Sequence, residues 1–119
     1  MTVPESQCAA SDHPPHSHAS RPSAELTLAA RMSAAMGDPG RLLLLSLLLD
    51  GAHCVSELTA ETGDSISLVS QRLKVLTSAD LLKRRRQGKH VYYELADEHV
   101  RLLVQALFSH ASHAHPIPT

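Results

Sequence analysis

Residues 54–95 restrict the possible folds more than any other stretch of the chain. Cys54-Val55-Ser56-Glu57-Leu58-Thr59-Ala60-Glu61-Thr62 places Val55 and Leu58 on one side and stops at Gly63, which reads as a short helix. A second helix begins near Ser65–Ser67, with Leu68, Val69, Leu73 and Leu76 at core spacing. Two strands follow, Leu81–Arg86 and His90–Leu95, around Gln87-Gly88-Lys89; the second alternates Val91, Tyr93 and Leu95 on one side. Two helices joined by a tight glycine turn match the helix-turn-helix pattern, and a hairpin directly after them is a wing.

The polar positions of this unit have their own chemistry. Ser67, Ser70, Gln71, Arg72 and Lys74 are a set that meets base edges and phosphates when such a helix enters a major groove. An ordinary helical hairpin has the same pattern, so the helix pair alone leaves both readings open. The hairpin narrows them. Net charge is only −1, yet five of the eleven Lys and Arg residues fall within Lys83–Lys89. Charge runs are usually solvated faces. Placed here, Arg84, Arg85, Arg86 and Lys89 are better explained as neutralising phosphates beside the groove of duplex DNA.

Upstream, Ala24–Met36 reads as a helix stopped by Gly37. Asp38 then caps a second helix, with Pro39 at its first position. Seven leucines within Leu42–Leu49 imply a core rod buried on most sides. Eight residues are far too few to span a bilayer. With 119 residues, no Trp and one Phe, the chain holds one small domain with a mostly aliphatic core. So small a domain gains stability from a dimer interface. Two cysteines are too few for a disulfide scaffold, and the polar N-terminus does not read as a signal peptide. A cytoplasmic protein with no membrane partner is expected.

Residues 1–23, with four Pro, three His and one Cys, read as a flexible His/Pro-rich tail, and residues 116–119 as a short C-terminal one. Cys8, His13, His16 and His18 either ligate a soft or borderline metal or belong to a merely solubilising segment; both readings stand.

Asp97–His115 contains no Pro or Gly and carries a Leu/Val/Ala stripe, so it reads as an amphipathic helix. His99, His110 and His113 fall within roughly 60° of one another on a helical wheel, sharing a face with Leu102, Leu103 and Ala106. Single histidines beside leucines are usually surface residues; three on one face, with Asp97 two positions ahead, point to metal ligation. Distance then decides the kind of site. His99 and His110 are about 16 Å apart along the axis, whereas ligands of one zinc ion must come within about 4 Å of each other. One helix cannot close that gap. Two copies packed antiparallel about a two-fold axis can, with Asp97 and His99 from one and His110 and His113 from the other. The expected architecture is mainly α with a small β-hairpin: a winged helix-turn-helix over residues 24–115, homodimeric through its N- and C-terminal helices.

Three pieces together resemble the ArsR/SmtB family of bacterial metal-sensing repressors: Asp38-Pro39-Gly40-Arg41, Val69-Ser70-Gln71-Arg72-Leu73-Lys74-Val75-Leu76, and Arg86-Gln87-Gly88-Lys89-His90-Val91-Tyr92-Tyr93-Glu94-Leu95. The resemblance covers about residues 24–115. It implies a dimeric, non-enzymatic DNA-binding protein that occupies its operator when metal-free and leaves it when an inducer binds. Asp97, His99, His110 and His113 are similar to the inter-subunit site of the family's zinc and cobalt sensors. Four such ligands suit Zn2+. His115 keeps Ni2+ or Co2+ open, because nickel and cobalt sensors of the family use further histidines past this point. No organic cofactor is implied.

The family's other site lies at the helix before the recognition helix. Without a Cys-x-Cys pair the chain does not resemble an arsenic or antimony sensor. Cys54 and Glu57, with Cys8 and His13, leave a second metal site open against a plain buried thiol. Two rivals remain from the residues alone. A histidine-rich metal buffer or chaperone predicts no sequence-selective DNA binding. A redox regulator working through Cys8 and Cys54 predicts no need of metal. The chain has no His-Glu-x-x-His, phosphate loop or activated nucleophile, so no enzyme is expected.

Overall fold

The computed structural model describes Ser11 and residues 21–114. Cys8, His13, His16, His18 and His115 lie outside the described residues. Helix α1 (Ser23–Met36) ends at Gly37. Helix α2 (Pro39–Leu47) starts on Asp38, whose side chain accepts from the Arg41 backbone N–H at 3.0 Å, as the cap-then-proline order requires. A 3-10 turn over Leu48–Asp50 prolongs it to Gly51, whose φ of 139° favours glycine.

Strand β1 (His53–Cys54) comes next, then α3 (Val55–Thr62) and α4 (Ile66–Ser78). Strands β2 (Leu82–Gln87) and β3 (His90–Leu95) form the wing, and α5 (Glu98–Ala114) closes the described chain. The sheet runs β1-β3-β2 and is antiparallel throughout, with Leu82 opposite Leu95, Gln87 opposite His90, and His53 opposite Tyr93. It is therefore three-stranded, where the sequence predicts a hairpin of two.

Leu44, Leu45, Leu48, Leu58, Val69, Leu73, Leu76, Leu81 and Val104 are fully buried. Each such aliphatic side chain contributes about 1.5–3 kcal/mol relative to exposure. No polar or charged residue is buried among those described. Two leucines depart from expectation. Leu43 is 44% exposed, so the leucine rod has an open side, and Leu68 is 36% exposed. Leu68 lies about 100° back around α4 from Val69, outside the narrow arc of Val69, Leu73 and Leu76 that faces the core. No single helix among the described residues is long and apolar enough to cross a membrane.

Candidate nucleic-acid interface and metal centre

The α3–α4 turn is held from both sides. Gly63 takes φ 76°, which stops α3, and its N–H donates to Thr59 O at 2.8 Å. Thr62 Oγ1 accepts from the Asp64 N–H at 3.2 Å, and Ser65 Oγ accepts from the Leu68 N–H at 3.2 Å to cap α4. With Val69, Leu73 and Leu76 sunk in the core, Ser67, Ser70, Gln71 and Lys74 are left exposed on the outer side. Arg72, grouped with them by sequence, is placed otherwise. Its Nη1 donates to Asp64 Oδ2 at 2.8 Å, and its side chain is only 23% exposed.

The wing sorts its cations by strand alternation. Lys83 and Arg85 share a face with Glu94, at 3.6 and 4.0 Å from its Oε1. Arg85 also donates to Gln87 Oε1 at 2.8 Å and stands 5.7 Å from the Tyr92 ring centre. Arg84 and Arg86 point to the opposite face. Arg84 joins Ser70, Lys74, Thr77, Ser78 and Tyr93 around a notch of about 300 Å³ between α4 and the wing. Lys74, Arg84, Arg86 and Lys89 have no carboxylate partner among the described residues. Gly88, at φ 63°, turns the two-residue tip that carries Lys89. Hydroxyls, an amide and four free cations thus lie along one helix and the adjoining wing, a combination suited to a polyanion.

Helix α5 offers a different chemistry. Asp97 Oδ1 accepts from the Val100 N–H at 3.0 Å, capping the helix, and lies 3.7 Å from His99 Nδ1. Val100 and Val104 seat the helix on the core, and Arg101 donates to Leu49 O. Leu102, Leu103, Leu107 and Phe108 remain 41–55% exposed. The His99 side chain is 96% exposed, and His110 and His113 are exposed at the other end. Among the described residues no three His, Cys, Asp or Glu side chains gather around a common point.

Cys54 is a half-buried free thiol whose Sγ lies 3.1 Å from Ser56 Oγ. Its backbone N–H donates to Glu57 Oε1 at 3.0 Å. That bond, then the thiol and then His53 hold the Glu57 carboxyl below its ordinary range. His53 was not singled out by sequence. Its buried Nδ1 has no hydrogen-bond partner among the described residues and faces Glu57 Oε2 at 3.5 Å; the four-residue spacing was the available signal.

Known proteins resemble this chain in sequence and in fold. Residues 38–84 match the family described as bacterial regulatory protein, arsR family. The transcriptional repressor SmtB homolog of Synechocystis is 43% identical over 81 residues, covering 68% of this chain and 61% of its own length. The chain thus spans less than two thirds of that relative. The Mycobacterium tuberculosis HTH-type transcriptional regulator NmtR is 35% identical over 100 residues, covering 80% of this chain and 83% of the regulator. A homodimeric winged helix-turn-helix DNA-binding domain from Mycobacterium bovis, described as a possible ArsR-family regulator, superposes with a TM-score of 0.71 at 30% identity, covering 87% of this chain and 99% of that one. With matching sequence over α2 to β2 and matching architecture beyond it, this chain belongs to the arsR family of bacterial regulatory proteins.

Proposed function

We propose that the chain is a metal-responsive transcriptional repressor that grips operator DNA as a metal-free homodimer and lets go when Zn2+ binds between its two α5 helices. Ser67, Ser70, Gln71 and Lys74 meet the major groove, while Arg84, Arg85, Arg86 and Lys89 meet flanking phosphates. The observation that carries the metal reading is the split donor set of α5. Asp97 and His99 stand exposed at one end, His110 and His113 at the other, and Leu102, Leu103 and Leu107 between them are left 42–55% exposed. An antiparallel second copy satisfies both needs at once: it covers the leucines and completes two equal ligand sets.

The donors fit zinc. Three imidazoles and one carboxylate oxygen make four ligands, and Asp97 Oδ2 stays free while Oδ1 caps the helix. Coordination by residues of both subunits fixes one relative setting of the dimer. A setting that fits DNA worse by about 1–3 kcal/mol weakens operator binding about 5–150-fold, and DNA weakens metal binding by the same factor. Ni2+ or Co2+ is the alternative inducer.

A gel-shift titration of the metal-free dimer against Zn2+, Ni2+ and Co2+, on DNA from upstream of its own gene, tests this. Zn2+ should release the complex at the lowest concentration. His99→Ala and His110→Ala should bind operator normally and ignore zinc. If either still releases DNA at the wild-type zinc concentration, the site is wrong.

A further inference from the structure

Arg72 lies on the recognition helix but is turned away from the exposed groove-facing set. Its guanidinium reaches back across the turn to Asp64, at 2.8 Å, with both side chains partly covered. It also rests against the backbone of Gly40, in the first turn of α2. A Cβ on Gly40 would overlap Arg72 Cζ, Nε and Nη2. Glycine is a poor choice in a helix, where alanine is favoured. Here the missing side chain is the space the guanidinium fills. One side chain thus joins α4, the turn before it and the start of α2.

We propose that Arg72 is a positioning residue and not a DNA contact: it sets the angle at which α4 is presented, so that Ser67, Ser70, Gln71 and Lys74 reach the duplex together. Val69, Leu73 and Leu76 hold α4 from the core side only. Apolar contacts are non-directional and by themselves leave a helix's angle loosely specified, with freedom to roll; across proteins crossing angles scatter by about 15–20°. A planar guanidinium with donors in a rigid fork, wedged between a carboxylate and a backbone, removes that freedom. Both side chains keep some contact with water, at 23% and 34% exposure, which limits what the pair adds to folding stability. Its effect is therefore on geometry, and the two are separable by experiment. The inference rests on the DNA-binding reading above.

Asp64→Asn, Arg72→Gln and Gly40→Ala test it in the full-length, metal-free protein. Binding to operator and to unrelated DNA of equal length is measured across a range of salt. Each variant should weaken operator binding about tenfold, the size of one lost base contact, with the salt slope unchanged. The double variant Asp64→Asn/Arg72→Gln should be no worse than either single one. Lys74→Gln, which removes a cation free of any carboxylate partner among the described residues, should lower the slope by about 0.9. Gly40→Ala favours the α2 helix itself, and an unchanged melting temperature separates a loss of binding there from a weaker fold.

A phosphate-contacting Arg72 predicts the opposite signs. Asp64→Asn and Gly40→Ala would then free a cation and tighten operator binding, and Arg72→Gln would lower the slope; either result overturns the proposal, as does operator binding unchanged in all three. Should the wild-type protein retard no DNA, the repressor reading fails on its own. Amide exchange over residues 66–72 then decides the strut: faster in Asp64→Asn and Gly40→Ala if Arg72 braces α4, unchanged if it does not.

Discussion

Helices α4 and α5 are both amphipathic, both seated on the core by β-branched or leucine side chains, and finished in opposite ways. The outer side of α4 is chiefly Ser67, Ser70, Gln71 and Lys74, with apolar exposure at Ile66 on its tip and at Leu68 and Val75 on one flank. That of α5 leaves Leu102, Leu103, Leu107 and Phe108 half uncovered between Asp97 with His99 at one end and His110 with His113 at the other. A polar outer face is complete in water and ready for a polar partner. Contiguous exposed leucines and a phenylalanine are not, and surfaces of this kind mark protein–protein contacts. One chain therefore finishes the outer face of α4 but not that of α5.

Substitution of leucines on the two helices gives the largest contrast. Leu73→Ala empties a fully buried position of α4 and should cost about 2–5 kcal/mol in urea unfolding. Leu103→Ala on α5 should instead shift the dimer toward monomer in sedimentation, and lower unfolding stability in proportion to that loss. Similar costs from both, with no change in association, would erase the distinction between a finished helix and an open one.

Asp97 allows a finer separation. Asn caps a helix about as well as Asp, whereas Ala at such a position costs about 0.5–2 kcal/mol. Asp97→Asn should keep the melting temperature and blunt the zinc response; Asp97→Ala should lose both. An undiminished zinc response in Asp97→Asn would remove the carboxylate from the ligand set. Because imidazole ligates only when unprotonated, more zinc should be needed to release DNA as pH falls, visible in the same gel shifts.

The smallest effects belong to the wing. Arg84→Gln and Arg86→Gln should each lower the salt slope of DNA binding by about 0.9, across operator and unrelated DNA alike. Arg85→Gln should do less, since Glu94, Gln87 and Tyr92 already engage Arg85.

Local chemistry made much of this legible in the sequence. Asp38-Pro39 announced α2, Gly63 and Ser65 framed the turn into α4, and the alternation of Val91, Tyr93 and Leu95 set the wing. What escaped depended on contacts between distant residues. The strand β1 has two residues, too few for any periodicity, and exists because His53 and Cys54 pair with Tyr93 and Tyr92 some forty positions on. Arg72 shares its spacing with the exposed polar set of α4, but its partner Asp64 lies eight residues back in the turn, and its resting place is a glycine on another helix. Leu68 sits at a plausible core spacing, but the arc that faces the core is too narrow to include it.

Mixing two inactive variants probes the shared-ligand site most directly. His99→Ala and His110→Ala homodimers should each fail to release DNA with zinc. In a mixed dimer both defects fall in one site, which leaves the other with an intact Asp97 and His99 from one subunit and His110 and His113 from its partner. Zinc release should return, with one ion bound per dimer. If every ligand set came from a single chain, the mixed dimer would stay as unresponsive as its parents, and coordination across the interface would be contradicted.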